Sequence, residues 1–169
     1  MDFLWSPWRS SYIDDFKDEK NKQKEICFFC EALKNSNEDD ERLVVVRRDN
    51  YIILLNKFPY TSGHLLIAPN RHIGDYTLLN DNEILDISLA IKECVVNLKE
   101  AFQPQGFNIG VNIGNVAGAG LPGHIHYHIV PRWAGDKNFM YVTGETNVIS
   151  FSNEMLLEKL RPLFQKKNK

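Results

Sequence analysis

The densest chemistry in the chain lies at His124-Ile125-His126-Tyr127-His128, where three of the five histidines alternate with apolar residues. Successive side chains on a β-strand point to opposite faces. The alternation therefore predicts one surface lined by His124, His126 and His128, at a spacing of roughly 6.7 Å, and another lined by Ile125, Tyr127 and Ile129. Three imidazoles in a row can bind a metal, contact several oxygens of one phosphate chain, or supply a nucleophile beside a second proton-active group. A plain half-buried strand explains the pattern less well, because Thr, Lys or Glu normally fills its wet face and histidines are scarce elsewhere in the chain.

Two neighbouring features bear on that choice. Six of the ten glycines fall between Gly106 and Gly123, directly before the histidines. Gly118-Ala119-Gly120-Leu121-Pro122-Gly123 matches the dinucleotide fingerprint G-x-G-x-x-G, but that fingerprint requires a helix to open at the glycines, and here Pro122 and Gly123 lead into an alternating strand. No Gly-Lys-Ser or Gly-Lys-Thr occurs, so a Walker loop is absent. A glycine-rich hairpin is one reading. The other has the N–H groups of Gly118, Ala119 and Gly120 facing an anion beside the imidazole row. The second feature is Cys27-Phe28-Phe29-Cys30, whose two-residue gap lets both thiolates reach one zinc ion if two more ligands come from elsewhere. Two buried thiols form the alternative; a redox pair suits the intervening phenylalanines less well.

These residues need a scaffold. Leu43–Val46, Tyr51–Leu55, His64–Ala68, Phe107–Ile113 and Ile125–Val130 read as strands, the second and third as antiparallel neighbours across a turn-rich Lys57–Gly63. Asn80 with Glu83 three residues on signals a helix start, and Ile84, Ile87, Ile91, Val95, Leu98 and Phe102 follow at helical spacing, with Cys94 beside that stripe as a small hydrophobe. Asn153–Gln165 predicts a terminal helix interrupted near Pro162, followed by a frayed Lys166–Lys169 tail. The organisation expected is an arm over 1–25, one domain over 26–150, and a C-terminal helix and tail over 151–169.

The 169 residues suffice for one domain with a real core. With 43% hydrophobic and 25% charged residues and a net charge of −2, nothing suggests disorder or a membrane span. The chain also lacks the basic stripe of a general nucleic-acid binder, so no nucleic-acid partner is expected. Met1–Pro7 lacks a secretion signal's basic start and apolar core, and the three cysteines are an odd count, which together predict a cytoplasmic protein without a disulfide framework.

The run His124–Val130 resembles the His-φ-His-φ-His-φ-φ signature of the histidine triad family of nucleotide hydrolases and transferases. Trp5–Arg9, Cys27–Cys30, Pro59–His64, Gly106–Gly110 and Pro131–Met140 are similar to its bacterial branch related to diadenosine tetraphosphate phosphorylases. The resemblance spans about Trp5 to Val148. It implies an α+β fold with about five antiparallel strands packed by helices, the sheet extended across a homodimer. It places the nucleophile on His126 and contact with the scissile phosphate and leaving oxygen on His128. His64 is similar to a further pocket histidine, Asn56 to a ribose-contacting asparagine, and Asn112 stands where some members carry a phosphate-contacting glutamine. His72 and His124 resemble the positions that complete a structural zinc site with Cys27 and Cys30. The loop before the triad is one residue longer than in the animal hydrolases.

The expected function is cleavage of a dinucleoside polyphosphate through a nucleotidyl-histidine, with inorganic phosphate favoured over water as acceptor. Two other classes stay open: a non-catalytic purine-nucleotide binding module, and a metalloenzyme using all three triad histidines.

Overall fold

Tyr51–Leu55 and Leu65–Pro69 carry almost nothing but apolar side chains, and a strand of that kind is stable only when covered on both faces. The computed structural model describes residues 26–137, 139–144 and 149–166, and in it every residue of these two strands is buried. The arm expected over 1–25 and residues 167–169 lie outside the described residues.

Five strands, β1 (Val44–Arg47), β2 (Tyr51–Leu55), β3 (Leu65–Pro69), β4 (Gly106–Val111) and β5 (Tyr127–Arg132), form one antiparallel sheet in the order β1-β2-β3-β5-β4. Among the described residues four α-helices accompany it: α1 (Phe28–Lys34), α2 (Asp81–Phe102), α3 (Phe139–Gly144) and α4 (Asn153–Gln165). This is the α+β architecture the sequence predicts.

The alternation of side chains divides the core in two. Ile53, Leu55, Leu65, Ile67 and Ile129 pack with Ile87, Cys94 and Leu98 of α2 and with Leu156, Leu157, Leu160 and Phe164 of α4. Ile52, Leu54, Leu66 and Ala68 point the other way, onto Cys27, Phe29 and Ala32 at α1. Each fully buried Ile, Leu or Phe contributes about 1.5–3 kcal/mol relative to an exposed one. His128 pairs with Leu66 across β3 and β5, which puts it on the α1 face.

α2 opens as expected: Asn80 accepts from the Glu83 N–H and Glu83 accepts from the Asn80 N–H, each at 2.9 Å. Its expected stripe holds at Ile87 and Leu98, with Ile91 and Phe102 packed against the core; Ala90 and Cys94 join it, while Ile84 is exposed, as are Leu85, Leu89 and Val96 outside the stripe. Apolar residues surround this helix, so periodicity alone could not choose the inward face. α4 continues through Pro162 rather than breaking there. The proline removes one N–H in the penultimate turn, and Phe164 beyond it is anchored in the core. No helix among the described residues is long and apolar enough to cross a membrane.

The sheet's two edges differ. Arg161 donates twice to the Val44 carbonyl, at 2.8 and 2.9 Å, and blocks β1. β4 carries exposed Asn108, Ile109 and Gly110 and has no strand on its outer side among the described residues.

Candidate active site

The histidine strand starts later than its alternation suggests. Ladder pairing begins at Tyr127, opposite Ile67 of β3 and Val111 at the end of β4, and runs to Arg132. Upstream the chain is tied to loops instead: His124 N–H reaches Leu121 O at 3.3 Å and Ile125 N–H reaches Ile73 O at 2.7 Å. His124 and His126 thus sit just outside the sheet, with Phe29 of α1 against both rings at 5.1 and 5.4 Å. Sequence reasoning did not find α1. Its one local signal is Cys27, whose Sγ accepts the Cys30 N–H at 3.5 Å as an N-cap.

The proton positions on the imidazoles follow from their partners. His126 Nδ1 lies 2.9 Å from the His124 carbonyl, which only accepts, so Nδ1 carries the hydrogen and Nε2 keeps a lone pair. His64 Nδ1 receives the Tyr60 N–H at 3.2 Å and the Asn56 Nδ2 at 3.2 Å. Asn56 is oriented because its Oδ1 accepts the Phe58 N–H at 2.9 Å. His64 must then donate from Nε2 to His128 Nδ1, 3.0 Å away. That leaves His128 with its hydrogen on Nε2, a buried atom without a partner among the described residues. The His126 and His128 rings are 5.1 Å apart. A lone pair fixed by the His124 carbonyl and an N–H donor fixed through the His64 ring therefore stand side by side.

Burial keeps these rings neutral. It pushes His64 down to about 3, with His128 and His126 adding to the effect, and His128 down to about 4. His126 is also lowered by burial, partly offset by its bond to the His124 carbonyl. His128 is thus a neutral imidazole at physiological pH, with an N–H that can donate.

A second cluster adjoins the first through His124. Its Nε2 donates to Pro69 O at 2.8 Å, so Nδ1 presents a lone pair to Cys27 Sγ at 3.1 Å and Cys30 Sγ at 3.7 Å. His72 Nδ1 lies 3.2 Å from Cys30 Sγ, and one ligand atom from each of the four residues falls within 4.8 Å of the rest. Tetrahedral zinc with these ligands would set them roughly 3.3–3.8 Å apart. The two thiols, two imidazole lone pairs and their spacing fit that ion. Burial and the neighbouring Cys27 raise the Cys30 thiol to about 11, a shift that a bound cation reverses.

The glycine segment behaves differently from expectation. Gly118 N–H is used on Asn115 O at 2.9 Å and Ala119 N–H on Gly114 O at 3.3 Å, closing the turn on itself. Asn112 supports the loop by donating to Gly118 O at 3.3 Å. Lys137 lies over the Tyr141 ring at 4.5 Å. The loop is also held by Gly74, where an added Cβ would stand 2.3 Å from Pro122 O. Of the three amides expected to face an anion, Gly120 alone makes no internal bond among the described residues.

Fold and site together define a member of the histidine triad class: residues 37–135 match the HIT domain, and the chain belongs to that family. Over 149 residues it is 35% identical to the AP-4-A phosphorylase of Mycobacterium tuberculosis, covering 86% of this chain and 75% of that protein. A Zn-bound histidine triad family protein from Mycobacterium smegmatis superposes with a TM-score of 0.60 at 26% identity, over 72% of this chain and 82% of that one. A hypothetical histidine triad nucleotide-binding protein from Sulfolobus tokodaii shares the fold with a TM-score of 0.66 at 24% identity, over 82% of this chain and 92% of that one.

Proposed function

We propose that this chain cleaves dinucleoside polyphosphates through a nucleotidyl group carried on His126, with inorganic phosphate as acceptor. The carrying observation is the pairing of the His126 Nε2 lone pair with the unpartnered His128 Nε2–H. The similarity to an AP-4-A phosphorylase supports the substrate class. In the first displacement His126 Nε2 bonds to phosphorus and the bridging P–O bond breaks. The His128 N–H stabilises the departing oxygen, which leaves without taking the proton because a terminal phosphate is weakly basic, with a second pKa of about 6. In the second displacement a phosphate oxygen attacks and the P–N bond breaks. Throughout, the His124 carbonyl shares the positive charge on His126.

Asn56 and His64 position His128, and Asn56 is also assigned to the ribose. Gly120 is assigned to the phosphate chain, whereas Gly118, Ala119 and Asn112 shape the loop that presents it. Cys27, Cys30, His72 and His124 are assigned to one zinc. With four protein ligands such an ion supplies structural cross-linking rather than an activated water. The open β4 edge and the apolar outward side of α2 are assigned to a second copy in a homodimer.

Hydrolysis is the second reading, favoured because the Gly118 and Ala119 amides are spent inside the turn. An anionic acceptor needs positive or N–H donors that water does not. Incubation with diadenosine tetraphosphate and inorganic phosphate is expected to give ADP and ATP. AMP and ATP, at a rate indifferent to phosphate, would make the protein a hydrolase.

The rate should also report the nucleophile's protonation. His126 must be neutral to attack, and burial lowers its pKa below the ordinary 6.5. Turnover is therefore expected to be flat upward from 6.5 and to fall only at more acid pH. A rate still rising through pH 7 would contradict this.

A further inference from the structure

The turn between β2 and β3 is firmly held, yet its two largest side chains, Phe58 and Tyr60, keep more than half of their surface exposed. Asn56 Oδ1 accepts the Phe58 N–H at 2.9 Å, Thr61 Oγ1 donates to Pro131 O at 2.7 Å, and Ser62 Oγ accepts the Ser150 N–H at 2.9 Å. Gly63 completes the turn with φ of +77°, a conformation that favours glycine. On this frame Phe58 is 78% and Tyr60 56% exposed. The Tyr60 ring lies 6.1 Å from His128 and only 19° from parallel to it. Lys57, also exposed, makes no ion pair among the described residues.

Exposed aromatics on a held turn, beside an exposed lysine, match a nucleotide, whose flat base stacks and whose phosphates are anionic. In the proposed reaction the His128 N–H marks the side on which the bridging oxygen departs. Tyr60 is the ring flanking His128 there, and Phe58 and Lys57 extend the same turn. We propose that Phe58 and Tyr60 form a stacking platform for the second nucleoside, the one that departs with the leaving group, with Lys57 meeting its phosphates. This rests on the proposed reaction and adds a residue-level basis for preferring dinucleotides. Stacking tolerates every base, so the platform selects for a second nucleoside more than for its identity.

The test compares kcat/KM for diadenosine tetraphosphate and for adenosine 5′-tetraphosphate, which has the same phosphate chain and one nucleoside. The variant is Phe58→Ala combined with Tyr60→Leu, which keeps the Tyr60 main-chain N–H to His64. The preference for the dinucleotide is expected to fall about tenfold. An unchanged preference, or equal losses on both compounds, overturns the platform. A shifted sedimentation coefficient with the preference intact would assign the rings to a second copy of the chain. If the unmodified protein cleaves neither compound, the reaction itself is overturned. The platform then stands on binding alone, supported by a variant that loses about tenfold in affinity for the dinucleotide only and overturned by unchanged affinities.

Discussion

His126→Ala is expected to lower turnover of diadenosine tetraphosphate by about 10⁴-fold or more while changing nucleotide affinity by only a few-fold. A nucleophile contributes mainly along the reaction path, so its removal takes away stabilisation that the ground state never had. The surroundings tolerate the change: the His124 carbonyl loses one N–H partner, and Phe29 keeps its contact with His124. Steady-state rates and equilibrium binding of the intact dinucleotide to the variant separate the two effects. Near-normal turnover would remove His126 from the chemistry and favour a non-catalytic nucleotide-binding module.

Cys27→Ala is expected to abolish metal binding and to lower the melting temperature by about 10 °C or more. A structural zinc contributes an apparent 10–16 kcal/mol in small zinc domains, and about 1 kcal/mol moves the melting point of a domain this size by roughly 2–4 °C. The loss should be large here because the cluster ties α1 to the His72 loop and to His124, whose carbonyl in turn aims His126. Elemental analysis of protein prepared without chelators should find about one zinc per chain. Cys94→Ala is the control: it removes a fully buried thiol from the other face of the sheet and should keep the metal. A metal-free protein whose melting point ignores Cys27→Ala would reduce the pair to packed thiols. Zinc lost on His128→Ala would instead favour the metalloenzyme.

The parts of the molecule legible in the sequence are those set by local rules. β2 and β3 stand out as unbroken apolar runs, and the Asn80–Glu83 capping box fixes the start of α2. The alternating histidines mark the imidazole cluster, and the two-residue cysteine gap marks the thiol half of the cluster formed by Cys27, Cys30, His72 and His124. What stayed hidden depends on partners distant in sequence. The start of β5 coincides with the end of β4 at Val111, and the buried side of α2 is set by which apolar residues the sheet meets. The direction of the Gly118 and Ala119 amides is decided by the turn's own carbonyls, which composition does not encode. The relay from Tyr60 through His64 to His128 depends on a contact between His64 and His128, 64 residues apart, and only folding reveals that it leaves His128 a neutral donor.

In the proposed reaction the nucleotidyl group passes through His126 in two successive in-line displacements. Each displacement inverts configuration at phosphorus, so a substrate made chiral at the attacked phosphorus should give product with net retention, whether phosphate or water is the acceptor. Stereochemical analysis of the product from an isotopically labelled phosphorothioate dinucleotide reads this directly. Net retention is the result expected; net inversion would show a single direct displacement and contradict a covalent role for His126.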